Sequence, residues 1–171
     1  LFPIMDWQKD SLKLIDAKNG DMDSWIASNR VLFLSTEKLK ESNTSNKINY
    51  NEATTIAALV QAILRVYEES GAMLNASQIG VIAPYRNQIA LIKQQLAEAK
   101  IPNHEEVSVD TVERYQGSQR DVILLSFCIN KPYQLDFLCN LNHDGTVDRK
   151  LNVALTRARK QLFMVGNAQL L

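Results

Sequence analysis

The residues of this chain best suited to meet a phosphate are Arg157 and Arg159, in the segment Arg149-Lys150-Leu151-Asn152-Val153-Ala154-Leu155-Thr156-Arg157-Ala158-Arg159-Lys160. A guanidinium carries permanent charge, and its planar fork can grip two oxygens at once. A second polar segment runs from Val109 to Asp121 as V-D-T-V-E-R-Y-Q-G-S-Q-R-D. Here Gly117 permits a tight turn and lets a ligand approach the backbone closely. Gln116 offers both donor and acceptor groups, and Thr111 can hydrogen-bond a phosphate or a sugar. A third segment, Pro84-Tyr85-Arg86-Asn87-Gln88, presents a stacking face and a phosphate-directed cation. Each segment taken alone also reads as ordinary surface: a basic helix end complementing its dipole, a solvated loop, a strand-to-helix corner.

What the chain lacks is equally informative. None of its six glycines opens G-x-x-x-x-G-K-[ST], so it holds no phosphate-cradling loop of that kind. No acidic pair follows a strand to hold Mg²⁺, and Asp110 alone does not make a metal–nucleotide site. Residues that could stabilise a nucleotide's charge are present, while those that would grip it are not.

The elements that must position these residues alternate between strand and helix. Val31–Leu34, Ile79–Ala83, Val107–Val109, Val122–Cys128 and Leu162–Val165 are short apolar runs, as expected of strands buried on both faces. Between the first two, Ile56, Leu59, Val60, Ile63, Leu64 and Tyr67 share one helical face, with Asn51 as candidate cap and Gly71 just past the end. A second helix is expected near Asn87–Lys100, and a third where Leu151, Ala154, Leu155 and Ala158 recur. Such alternation predicts an α/β three-layer domain, α/β/α, built on a mainly parallel sheet. In open parallel sheets ligands gather at the carboxyl ends of strands, so the three polar segments are expected to meet at that edge.

Residues 1–30, with Trp7 and Trp25, fall outside the alternation and read as a leader or inter-domain segment, leaving 31–171 as the domain. Glu37–Asn49 is polar and reads as a mobile loop; Asn130–Asp148 is a second long connection with a turn at Asp144-Gly145. The chain starts at Leu1 rather than Met, which leads us to expect a fragment.

Composition narrows the classes further. Lys+Arg and Asp+Glu stand at 19 each, so no global positive field advertises a simple cationic nucleic-acid binder. Cys128 and Cys139 give no disulfide framework and suggest a reducing, intracellular compartment, the cytoplasm if the source is prokaryotic. Cys139 and His143 are spaced like half a zinc site, but no second pair follows, and no metal site is assigned. No apolar stretch approaches a membrane span, and no signal peptide opens the chain.

Together the three segments resemble the last motifs of superfamily-one helicases, in the branch holding the nonsense-decay RNA helicases and the replication nuclease-helicases. I-G-V-I-A-P-Y-R-N-Q resembles their motif IV, V-D-T-V-E-R-Y-Q-G-S-Q-R-D-V-I-L-L-S motif V, and L-N-V-A-L-T-R-A-R motif VI. Asn49-x-x-Glu52-Ala53 is similar to the start of the same domain's first helix. The order and spacing match from about Val31 to Gly166. The resemblance implies a second RecA-like domain, with ATP and Mg²⁺ held mainly by an N-terminal RecA-like domain of the same polypeptide. It implies that Arg157 is the arginine reaching the γ-phosphate, and that Gln116 and Gly117 line the nucleotide cleft, with Gln119 and Arg159 nearby. Pro84, Tyr85, Arg86 and Thr111 would contact single-stranded DNA or RNA, DNA being the favoured reading. The branch also implies 5′-to-3′ movement. One departure stands out: many relatives have Q-G-x-E, with an acid where this chain has Gln119. Glutamine can still bond a ribose hydroxyl but cannot pair ionically with a neighbouring arginine. A degenerate lobe that binds nucleic acid or protein without ATP turnover is the alternative expectation; an unrelated α/β small-molecule enzyme lacks a convergent catalytic set.

Overall fold

The computed structural model describes residues 13–16, 21–37, 39, 47–115, 118–134 and 149–170. Its strands are β1 (Lys13–Asp16), β2 (Val31–Ser35), β3 (Ile79–Ile82), β4 (Ser108–Asp110), β5 (Arg120–Ser126) and β6 (Ala158–Gly166). Its helices are α1 (Met22–Ser28), α2 (Tyr50–Glu69), α3 (Arg86–Glu98) and α4 (Arg149–Leu155). The six strands form one sheet in the order β1-β2-β6-β5-β3-β4, and every pairing is parallel.

The central strands are apolar on both faces because both faces are covered. Leu32, Leu34, Ile79, Val81, Val122, Leu124, Phe163 and Val165 pack into one core with the buried faces of α2 and α3 and with Ile26 of α1. The intervening Phe33, Ile82, Ile123, Leu125, Leu162 and Met164 point the other way, onto Tyr115 and Ala154 of α4. This period-two division makes the three layers that the alternation predicts.

Helix α2 begins at an Asn cap, but the cap is Asn49 and not Asn51. The Asn49 Oδ1 accepts from the Glu52 N–H at 2.9 Å, so the helix starts two residues earlier than a cap at Asn51 would place it. It ends at Glu69 with Ser70 as its cap, and Gly71 takes φ +73°, the left-handed geometry that lets the chain leave the helix without a Cβ clash. Its buried stripe of Ile56, Leu59, Val60 and Ile63 stabilises the domain by roughly 1.5–3 kcal/mol per side chain.

Residues 1–30 contribute two elements that the alternation did not reveal. Strand β1 adds to the sheet beside β2, and α1 is pinned through Gln161 of β6, which is fully buried. The Gln161 amide donates to the Ile26 and Asn29 carbonyls at 2.8 and 2.9 Å, while its oxygen accepts from the Tyr67 hydroxyl. A polar residue inside a core strand is tolerated because every polar atom finds a partner. The expected third helix is also shorter: it stops at Leu155, and Ala158 opens β6. Trp7, Cys139, His143 and Asp144-Gly145 lie outside the described residues.

Candidate nucleotide and nucleic-acid edges

The three polar segments do not meet at one edge. Parallel strands share a direction, so the chain after β3 and β4 lies at the opposite end of the sheet from the chain before β5 and β6. Pro84, Tyr85, Arg86 and Thr111 stand at the carboxyl edge; Gln119, Arg157 and Arg159 stand at the amino edge. The expectation of a single carboxyl-end cluster is therefore corrected. Its physical cause is the connection from β4 to β5, which must cross the sheet to restart in parallel. The 3₁₀ turn Val112–Tyr115 begins that crossing beneath α4.

At the carboxyl edge, the Ala83 N–H donates to the Asp110 carbonyl at 3.1 Å and locks the ends of β3 and β4 together. This sets Pro84 and Tyr85 beside Thr111. Tyr85 is the N-cap of α3 and is half-buried, whereas Arg86 is exposed. The Asp110 carboxylate accepts from the Thr111 N–H at 2.8 Å and lies 3.7 Å from Arg114 Nε.

Behind this edge lies a buried polar ring that pattern reasoning did not assign. Gln88, in the first turn of α3, is fully buried; its oxygen accepts from the Asn49 N–H at 2.7 Å. Its amide donates to the Asn49 carbonyl and to Ser126 Oγ, each at 3.1 Å. Ser126 Oγ in turn donates to Glu52 Oε2 at 2.7 Å, and the Cys128 N–H donates to the same oxygen at 2.8 Å. Burial pushes the Glu52 carboxyl up from 4.5 to about 7, against the lowering effect of the hydrogen bonds from Ser126 and Cys128. Burial likewise raises the Cys128 thiol, which is therefore a packing group rather than a reactive one. The Asn49 amide reaches Asn130 Oδ1 at 2.8 Å, so the end of the supposed mobile loop 37–49 is built into the core.

At the amino edge, Arg157 occupies the turn between α4 and β6. Its carbonyl accepts from the Arg120 N–H at 3.0 Å, which ties the turn to the start of β5. Its Nε donates to the Val153 carbonyl at 3.1 Å, and one terminal nitrogen donates to Thr156 Oγ1 at 3.3 Å. The guanidinium thus caps its own helix, yet it meets no carboxylate among the described residues. Arg159 differs: its Nε donates to Gln119 Oε1 at 3.4 Å, and its guanidinium lies 3.8 Å from the Asp121 carboxylate. Asp121 is buried and also binds Lys160 at 2.8 Å and the Gln78 amide at 3.1 Å. Gln116 and Gly117 lie outside the described residues. Neighbouring Tyr115 is buried, and its hydroxyl donates to the Ser108 carbonyl at 2.5 Å. Gly80 makes room for it: a Cβ there would stand 2.7 Å from that hydroxyl. Among the described residues no group of His, Cys, Asp and Glu could hold a metal ion, and no helix is long and apolar enough to cross a membrane.

Known proteins are similar to this chain in sequence. Residues 8–169 match the family described as AAA domain. The DNA replication ATP-dependent helicase/nuclease of Mus musculus is 34% identical over 84% of this chain and 13% of its own length. That of Xenopus tropicalis is 35% identical over 92% of this chain and 14% of its own length. The chain belongs to the superfamily-one helicases, as a C-terminal domain of the nuclease-helicase branch. The Arabidopsis thaliana protein named regulator of nonsense transcripts 1 homolog is also similar, at 33% identity over 95% of this chain and 13% of its own length. This helicase motor domain therefore spans about an eighth of the length of the curated relatives it matches.

Proposed function

We propose that this chain is the second motor domain of an ATP-dependent DNA helicase that acts inside the cell, and that it gives Arg157 to ATP held mainly by an N-terminal RecA-like domain of the same polypeptide. The observation that carries the reading is an asymmetry. A half-buried guanidinium that meets no carboxylate among the described residues stands at the amino edge, in a chain with no phosphate loop. Arg157 fits a phosphate because its remaining N–H groups are uncommitted among the described residues, and its charge is permanent. Gln119 and Arg159 offer a neutral and a cationic group beside it.

Bound MgATP supplies the phosphoryl group and the leaving diphosphate. The residues of this chain orient it and offset the charge that builds on the transferring phosphoryl oxygens. Releasing Arg157 from Val153 and Thr156 costs two hydrogen bonds from the cation to uncharged oxygens, about 1.5–3 kcal/mol each at most. A charge-assisted, two-pronged bond to phosphate is the stronger contact. At the other edge, Tyr85 stacks on a base while Arg86 and Thr111 hold the backbone of a single strand. Closure of the two domains on ATP would then move one set of strand contacts relative to the other.

One observation favours a second reading. Gln119 cannot form the ion pair with Arg159 that an acid would, which suits a lobe that binds without turning over ATP. ATP hydrolysis by the full-length protein, with and without single-stranded DNA or RNA, separates the two. The motor reading expects strand-stimulated turnover, strongest with DNA; binding without turnover favours the degenerate lobe and overturns it.

A further inference from the structure

Glu52 is a fully buried carboxyl that no proposed chemical step uses, and it sits where three elements converge. It lies in the first turn of α2, whose cap is Asn49. Through Ser126 Oγ it reaches the end of β5 and, one bond further, Gln88 in the first turn of α3. Gln88 returns to the Asn49 backbone by donating and accepting, which closes a ring of Asn49, Glu52, Ser126 and Gln88. The same Glu52 oxygen holds the N–H of Cys128, a non-glycine residue at φ +50°. That left-handed geometry is costly for a side chain with a Cβ and persists only where neighbours enforce it. Two residues on, the Asn130 amide donates to the Ile48 carbonyl at 2.8 Å and completes the tie to α2. Glu52 Oε1 has no hydrogen-bond partner among the described residues, so the whole load falls on Oε2.

We propose that Glu52 is a positioning residue for the strand-binding edge: it fixes the first turn of α3, and with it Tyr85 and Arg86, against the turn that leaves β5 at Cys128. The inference rests on the reading of Tyr85 and Arg86 as strand contacts. Core packing alone does not explain an acid here, because an apolar side chain would avoid the burial cost. What an apolar residue cannot do is accept from Ser126 and Cys128 together. Glutamine can, since its carbonyl oxygen replaces Oε2 and its amide takes the place of the unpartnered oxygen.

The test uses the full-length protein and two labelled probes, oligothymidylate and oligouridylate, with binding followed by fluorescence anisotropy in the absence of nucleotide. Strand-stimulated ATP turnover is measured in parallel, and thermal melting reports the fold. Glu52→Ala and Ser126→Ala are expected to weaken binding of the preferred strand by about tenfold, equivalent to about 1.4 kcal/mol. Turnover at saturating strand should stay within about twofold of wild type. Glu52→Gln is expected to restore binding. If Glu52→Ala fails to fold, Ser126→Ala and Glu52→Gln decide. Wild-type affinity in folded Ser126→Ala, or a Glu52→Gln variant as weak as the alanine variants, overturns the proposal. If wild type binds a strand but shows no stimulated turnover, the motor reading falls, and anisotropy still judges Glu52. If wild type binds neither probe, the strand edge and the role of Glu52 fall together.

Discussion

Arg159 donates its Nε to Gln119 Oε1 at 3.4 Å, a contact of the cation with an uncharged amide that links the strand leaving the arginine turn to the approach to β5. The carboxylate that Gln119 does not offer comes partly from Asp121, 3.8 Å from the Arg159 guanidinium and shared with Lys160. One acid therefore serves two cations and the Gln78 amide, and Arg159 is held loosely rather than gripped.

This relationship predicts the effect of restoring an acid. Gln119→Glu would add a second carboxylate to an exposed arginine, and exposed pairs contribute about 0–1 kcal/mol. We expect melting to rise by no more than about 4 °C at low salt. The gain should vanish at high salt, where such pairs are screened. A loss of stability at low salt would contradict the contact.

Gly80→Ala probes the seat of Tyr115. The added Cβ would stand 2.7 Å from the Tyr115 hydroxyl, 2.9 Å from Ile123 Cδ1 and 3.0 Å from Arg120 Cγ. Overpacking of this kind costs about 1–3 kcal/mol. Tyr115→Phe removes the nearest atom, so the double variant should be more stable than the sum of the two single losses predicts. Strict additivity, read from urea unfolding, would show that the two residues do not touch.

Glu52 predicts a pH dependence with a definite sign. Its folded value, about 7, lies above the unfolded 4.5, so between these values the folded state keeps a proton that the unfolded chain has released. The contribution of this group to stability is therefore greatest below the lower value and is lost as pH rises through the upper one. Relative to Glu52→Gln, which does not titrate, wild type should lose about 3 kcal/mol across that window. Urea unfolding of both proteins near pH 4 and near pH 8 reads the difference directly. Parallel curves would mean that the carboxyl is not held neutral.

The fold was legible because apolar runs and 3.6-residue stripes report burial, and burial is what the sheet and helices share. Val31–Leu34, Ile79–Ala83 and Leu162–Val165 each fall on strands of the central sheet for that reason. Strand β1 and helix α1 were missed because Lys13–Asp16 is short and mixed in charge, and α1 buries only Ile26 fully. The candidate residues were legible as types, yet their division between two edges was not. Nothing local in V-D-T-V-E-R-Y-Q-G-S-Q-R-D reveals that it starts at one end of a sheet and finishes at the other. Glu52, Gln88 and Asp121 carry a similar lesson: an acid or amide in a polar stretch looks solvated until its partners, 38–76 residues away in sequence, are in place.

The most direct test of the account is the replacement of Arg157 by Ala in the full-length protein, followed by strand-stimulated ATP turnover and by separate measurements of ATP and strand binding. Turnover is expected to fall by roughly 10³-fold, as for an arginine that acts only on the transition state. ATP and strand affinities should stay within about threefold of wild type, and this chain alone should not hydrolyse ATP. Unchanged turnover in the Arg157→Ala protein would contradict the account and leave Arg157 as the cap of its own helix.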